Sequence, residues 1–126
     1  MIATIRRTFT LAASHRLPHV PKGHKCGRMH GHTFRVTVRV RGTVQPSGPE
    51  AGMVCDFARI DALRDELDHT TLNDHAGLEN PTSELLAWWF VARLLADRVP
   101  VLDVIVEEEV GKSRVTVTAA DVAGAP

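Results

Sequence analysis

Two stretches of alternation constrain this chain more than any other feature. Residues 2 to 14 carry Ile5, Phe9, Leu11 and Ala13 on one parity, with Thr4, Arg6, Thr8 and Thr10 on the other. Residues 30 to 42, HGHTFRVTVRVRG, set His30, His32, Phe34, Val36, Val38 and Val40 against Thr33, Arg35, Thr37, Arg39 and Arg41. A period of two is the pattern of strands with one buried face. His15 continues the apolar parity of the first stretch. If the two strands pair as antiparallel neighbours, the end of the first lies beside the start of the second, and His15, His30 and His32 converge on one side. An HGH pair alone is a weak signal, and three imidazoles hydrogen-bonded at a core edge is the ordinary alternative. Three histidines of matching parity point instead to a metal. Zinc is the natural occupant of neutral imidazole ligands, and three protein ligands leave a position open for water or substrate, as catalytic sites do.

Between the strands, residues 16 to 29 contain Pro18, Pro21, Gly23 and Gly27, a loop long enough to indicate function. It holds Cys26, so that CGRMHGH packs a thiol and two imidazoles into seven residues. The formal net charge is +0, yet no acidic residue precedes Glu50, while nine basic ones do. Arg35, Arg39 and Arg41 alternate with valines as a solvated strand face does, and no aromatic platform is interleaved with them, so nucleic acid is not the expected partner. Arg16, Lys22, Lys25 and Arg28 sit in the loop beside the histidines and are the candidates for an anionic substrate.

Further along, Asp56 is an N-cap and Phe57, Ile60, Leu63 and Leu67 recur at helical spacing, predicting a helix from 57 to about 68. Asn80 and Pro81 open a second helix, with Leu85, Trp88, Trp89, Ala92 and Leu95 as its buried stripe. Two more strands are expected at 101–110 and 114–119. Val104, Val106 and Glu108 share one face of the first, and Ile105, Glu107 and Glu109 the other. The order ββααββ implies an α+β fold, one domain over residues 1–126, with a tail at 121–126 that looks frayed. No apolar run approaches the roughly eighteen residues of a membrane span. The alternating N-terminus does not read as a signal peptide, so no membrane contact and a cytoplasmic location are expected. Cys26 and Cys55 are expected as free thiols, with Cys55 buried.

Cys-x3-His-Gly-His after Ala-Ala-x-His, then Gly-Met-x-x-Asp-Phe, Leu-Asp-His-x-x-Leu-Asn, Asn-Pro-Thr-x-Glu and Val-x-Val-x-Glu, together resemble the 6-pyruvoyltetrahydropterin synthase family from Phe9 to about Glu109. The three-residue gap between Cys26 and His30, with LNDHAGLENPTSE, is most similar to its bacterial 6-carboxytetrahydropterin synthase branch, QueD. The resemblance implies that His15, His30 and His32 bind Zn2+, that Cys26 is the catalytic thiol, that Asp68 and His69 assist proton transfer, and that Glu108 anchors the pterin. It implies the tunnelling fold (T-fold), with a four-stranded antiparallel sheet and two helices on one face. The implied assembly is a homohexamer, a dimer of trimers with active sites between subunits.

The implied reaction converts 7,8-dihydroneopterin triphosphate to 6-carboxy-5,6,7,8-tetrahydropterin, acetaldehyde and triphosphate, for queuosine or another 7-deazapurine. Arg16, Lys22, Lys25 and Arg28 are the candidates for the triphosphate. A 6-pyruvoyltetrahydropterin synthase, a related side-chain lyase, or a non-catalytic zinc- or pterin-binding protein are the alternatives. His19, His24 and His75 carry no assigned role. Thr82 and Glu84 cap the second helix as readily as they touch substrate.

Overall fold

In a computed structural model that describes residues 1–123, the two long alternations form the first two strands, β1 (Ile2–His15) and β2 (His30–Thr43). They pair antiparallel over their whole length, with Leu11 opposite Phe34, Ala13 opposite His32 and His15 opposite His30. The expected register is therefore present. Asp56 caps α1 (Phe57–Leu67), its carboxylate accepting the Ala58 N–H at 2.9 Å. There follow β3 (Thr70–Thr71), α2 (Ser83–Ala96), β4 (Val101–Glu107), β5 (Val115–Thr118) and the short α3 (Ala119–Ala123).

The sheet has five strands in the order β3-β1-β2-β4-β5. It is mixed, correcting the expected four-stranded antiparallel sheet, because β3 runs parallel to the end of β1, pairing Ala13 with Thr70 and Ser14 with Thr71. Two residues give no period to read, so this edge strand was invisible in the sequence. A third helix also joins the expected two. The expected tail overlaps α3 over residues 121–123, and residues 124–126 lie outside the described residues.

One core forms between the helices and a single sheet face. Leu11, Phe34, Val36, Val38, Val40, Val104 and Val106 meet Ile60, Leu63 and Leu67 of α1 and Leu86, Phe90 and Leu94 of α2. Burial of this apolar surface is the main force holding the helices to the sheet. The opposite face is polar, and its two buried carboxylates are paired. Asp103 meets Arg39, and Glu107 meets Arg35 at 2.6 Å. No helix among the described residues is long and apolar enough to cross a membrane.

The stripe on α2 differs from expectation. Leu86, Ala87, Trp89, Phe90, Val91 and Leu94 are buried, whereas Leu85, Trp88 and Leu95 are more than a third exposed. SELLAWWFVARLLA is apolar nearly all round, so its pattern admits two phases. Packing decides between them, setting the face with Leu86, Phe90 and Leu94 against the sheet. The helix also starts later than expected: Thr82, not Asn80, is the N-cap, accepting the Leu85 N–H at 3.2 Å. Strand β4 also stops at Glu107, three residues short of expectation, where a turn bonded to the Glu109 carbonyl takes over.

Candidate metal centre

The three histidines meet where the β1–β2 pair ends. His15 is the last residue of β1 and His30 the first of β2, and strand alternation turns all three rings to the helix side of the sheet. Ring centroids lie 4.6 Å (His15–His30), 5.1 Å (His15–His32) and 4.9 Å (His30–His32) apart. One ligand nitrogen from each ring lies within 4.8 Å of the others. Phe34 closes the floor, edge-on to His15 and with its centroid 5.5 Å from that of His32.

Backbone carbonyls fix which nitrogen of two of these rings carries the proton. His15 Nδ1 is 2.8 Å from the Pro81 carbonyl, and His30 Nδ1 is 2.6 Å from the Arg28 carbonyl. A carbonyl only accepts, so each Nδ1 donates and each Nε2 keeps its lone pair, the orientation that metal-binding histidines adopt. His15 is 1% exposed, and its Nε2 is buried with no hydrogen-bond partner. Burial pushes its pKa down, outweighing the opposing effect of the Pro81 bond, so the ring favours the neutral form a metal requires. A buried, unpartnered lone pair within a set of imidazoles fits a divalent ion such as zinc.

Glu108 faces this cluster. Its Oε1 is 3.6 Å from His15 Nε2 and 3.5 Å from His32 Nε2. The β2–β4 register explains the placement: Glu107 is opposite Arg35 and turns to the polar face, so the next residue turns to the histidine face. Glu109 is exposed and pairs with Lys112 at 3.2 Å. Of three consecutive glutamates, only Glu108 reaches the cluster.

Asp68 and His69 follow α1 directly. Asp68 Oδ1 accepts the Ala12 N–H at 3.0 Å and Oδ2 lies 2.9 Å from His69 Nδ1. The Ala12 bond is the main reason the Asp68 carboxyl is held below the usual range, with His69 and Arg64 adding to it. Because the carboxylate accepts, His69 carries its proton on Nδ1 and presents Nε2 outward. Its backbone is left-handed, with φ 59°, which costs a residue bearing a Cβ about 1 kcal/mol. The His69 N–H bond to the Ala12 carbonyl, at 2.6 Å, holds it there. His32 and His69 are both among the residues that line one open depression of about 500 Å³, as are Ser14 and Thr70.

Cys26 lies outside the histidine cluster, half-buried in a 3-10 turn at Lys25–Gly27, and both Cys26 and Cys55 are free thiols. Arg16, Lys22, Lys25 and Arg28 are all exposed, and among the described residues none pairs with a carboxylate. Thr82 acts as a helix cap and Glu84 sits in the first turn of α2. His75 Nε2 donates to Thr70 Oγ1 at 2.9 Å, since that hydroxyl already donates to the Leu67 carbonyl. Asn73, the last residue of the Leu-Asp-His-x-x-Leu-Asn motif, was given no role from the sequence. Its side-chain amide accepts from the Arg16 N–H at 3.0 Å and donates to the Arg16 carbonyl at 2.8 Å, clamping the chain just after His15. An asparagine in a turn has too many ordinary uses for this to be legible beforehand.

Fold and site together define a small α+β protein with a three-histidine cluster that could hold a metal ion, at the end of a long strand pair and faced by a carboxylate. The chain belongs to the 6-pyruvoyl tetrahydropterin synthase family, whose model matches residues 4–121. It is 45% identical over 102 residues to a 6-carboxy-5,6,7,8-tetrahydropterin synthase of Synechocystis sp., covering 76% of this chain and 78% of that protein. It is 35% identical over 86 residues to a dihydroneopterin monophosphate aldolase of Pyrococcus furiosus, covering 65% and 69% of the two chains. The structure of Caenorhabditis elegans 6-pyruvoyl tetrahydropterin synthase superposes with a TM-score of 0.73 at 27% identity, covering 94% of this chain and 96% of that one. The architecture is thus that of the T-fold.

Proposed function

We propose that this protein is a 6-carboxy-5,6,7,8-tetrahydropterin synthase. It converts 7,8-dihydroneopterin triphosphate to 6-carboxytetrahydropterin, acetaldehyde and triphosphate, and serves the formation of queuosine or another 7-deazapurine. The observation that carries this reading is the three-histidine cluster faced by Glu108, in a chain so similar to a relative bearing that name.

His15, His30 and His32 would hold Zn2+. When bound, the ion supplies Lewis-acid polarisation of the substrate's side-chain oxygens, which eases loss of the neighbouring carbon-bound protons. Cys26 is the base that takes such a proton. His69, its Nδ1–H held by Asp68, offers Nε2 to accept or return a proton from another side. Glu108 accepts hydrogen bonds from the N–H groups of the aminopyrimidine edge, and its closeness to the cluster directs the pterin side chain toward the histidines. Arg16, Lys22, Lys25 and Arg28, unpaired and exposed, hold the triphosphate until elimination releases it.

The assembly is a homohexamer built as a dimer of trimers, with sites between subunits. His69 supports this, because its side chain is 80% exposed in a single chain and Cys26 lies outside the cluster. Similarity to an aldolase favours one second reading, cleavage of the side chain with the phosphate left on the departing fragment. Incubating metal-loaded protein with dihydroneopterin triphosphate and identifying the pterin by mass spectrometry tests the proposal. A 6-carboxy pterin is expected, whereas a 6-pyruvoyl or 6-hydroxymethyl pterin overturns it. Cys26→Ala is expected to keep its metal and lose turnover.

A further inference from the structure

The loop between β1 and β2 carries a histidine that neither the metal cluster nor the proposed chemistry uses. His24 is exposed, and an exposed loop histidine is ordinarily solvated. Here it has a specific partner: its Nδ1 accepts the backbone N–H of Cys26 at 3.0 Å. Accepting at Nδ1 leaves the ring proton on Nε2, pointing away. His24 is thereby the N-cap of the 3-10 turn Lys25–Gly27, a position normally held by Ser, Thr, Asp or Asn.

The rest of the turn makes this bond consequential. The Cys26 carbonyl accepts the Leu17 N–H at 2.8 Å, tying the turn back to the start of the loop. The Gly27 N–H reaches the His24 carbonyl at 3.0 Å, and the Arg28 N–H reaches the Lys25 carbonyl at 3.2 Å. The Arg28 carbonyl in turn accepts the Nδ1–H of His30. One short turn therefore sets the backbone of the thiol residue at its centre and, one bond beyond its end, the orientation of a histidine of the metal cluster. Among the described residues, the side chain capping that turn at its start is His24.

We infer that His24 is a positioning residue. By capping the Cys26 turn through Nδ1, it holds the thiol and the His30 ring in fixed relation to each other. This rests on the reading of Cys26 as the base, and its consequence is that His24 acts on turnover without touching substrate. The chemistry of the acceptor makes the idea specific. Asparagine Oδ1 occupies the same branch position as histidine Nδ1 and is a good N-cap, whereas the acceptor of glutamine lies one bond further out, where Nε2 is.

The test compares His24→Ala, His24→Asn, His24→Gln and Cys26→Ala as metal-loaded full-length proteins. Two quantities are measured: steady-state turnover of dihydroneopterin triphosphate, and the rate at which iodoacetamide alkylates Cys26, located by peptide mass spectrometry. His24→Ala and His24→Gln are expected to lower kcat about tenfold with KM changed less than about threefold, the size of a lost cap. Both should alter the Cys26 alkylation rate several-fold, while His24→Asn stays within about twofold of the native protein on both measures. Native behaviour in His24→Ala, or equal losses in all three His24 variants, overturns the inference. If Cys26→Ala turns over normally, the role of the thiol as base is wrong, and the alkylation rates alone still decide whether His24 positions it.

Discussion

Replacing His15 with alanine reads the metal centre most sharply, because this ring is the most deeply buried of the three and its Nε2 has no other partner. In metal-free protein that orphaned atom costs about 1–3 kcal/mol. Zinc held at a free concentration about a thousand times its dissociation constant stabilises the native chain by about 4.1 kcal/mol. For 126 residues, an unfolding entropy of about 2.1 cal/mol/K per residue gives roughly 0.26 kcal/mol/K. The melting temperature should therefore rise by about 15 °C on zinc loading.

His15→Ala removes one of three ligands, and loss even of a group that merely orients a ligand weakens metal sites about 10–100-fold. A hundredfold loss leaves about 1.4 kcal/mol of stabilisation, or roughly 5 °C. The assay is calorimetry of chelator-treated and zinc-loaded samples of each protein at one fixed protein concentration. The difference between the two samples cancels any effect of the cavity left by the missing ring. A 15 °C shift retained in His15→Ala, or absent from the native protein, refutes the assignment of the site.

Three further outcomes follow from the same geometry. Asp68→Asn should lose about 1 kcal/mol near neutral pH, a bond to a charged acceptor discounted for solvent screening at a part-exposed site. The Asp68 carboxyl is depressed in the folded state, so its contribution is complete above the unfolded value of about 3.9 and fades as pH falls through the folded value. Urea titrations should accordingly show the gap between native and variant closing below about pH 4, and a gap independent of pH contradicts a stabilising role for the ionised carboxylate. Phe34→Ala should cost about 3–5 kcal/mol and also weaken zinc binding in a chelator competition, because the same ring fills the core and floors the cluster. Glu108→Gln should bind zinc as the native protein does yet raise KM for the pterin at least tenfold, the order expected for losing a charge-assisted bond. Unchanged KM removes Glu108 from the substrate site.

The part of the site that rests on side-chain parity was legible in the sequence. Alternation through Leu11, Ala13 and His15, and again through His30, His32 and Phe34, left only one face on which the imidazoles could meet, and the observed register places them there. The Asp56 cap was readable for the same local reason. What escaped were features without a side-chain pattern. The carbonyls of Pro81 and Arg28 that orient His15 and His30 come from backbone, which any residue supplies. The two residues of β3 are too few to show a period, and His69 adopts a left-handed conformation that a glycine would have advertised. On α2, an apolar surface on nearly every side left the buried face to packing against the sheet, which no local pattern records.

The most direct measurement is the stoichiometry of products from zinc-loaded protein and dihydroneopterin triphosphate, with pterins followed by mass spectrometry and acetaldehyde and triphosphate quantified in the same samples. One acetaldehyde and one triphosphate for each 6-carboxytetrahydropterin formed is the expected result. Triphosphate released with a 6-pyruvoyl pterin and no acetaldehyde, or a 6-hydroxymethyl pterin with the phosphates still on the cleaved fragment, contradicts it.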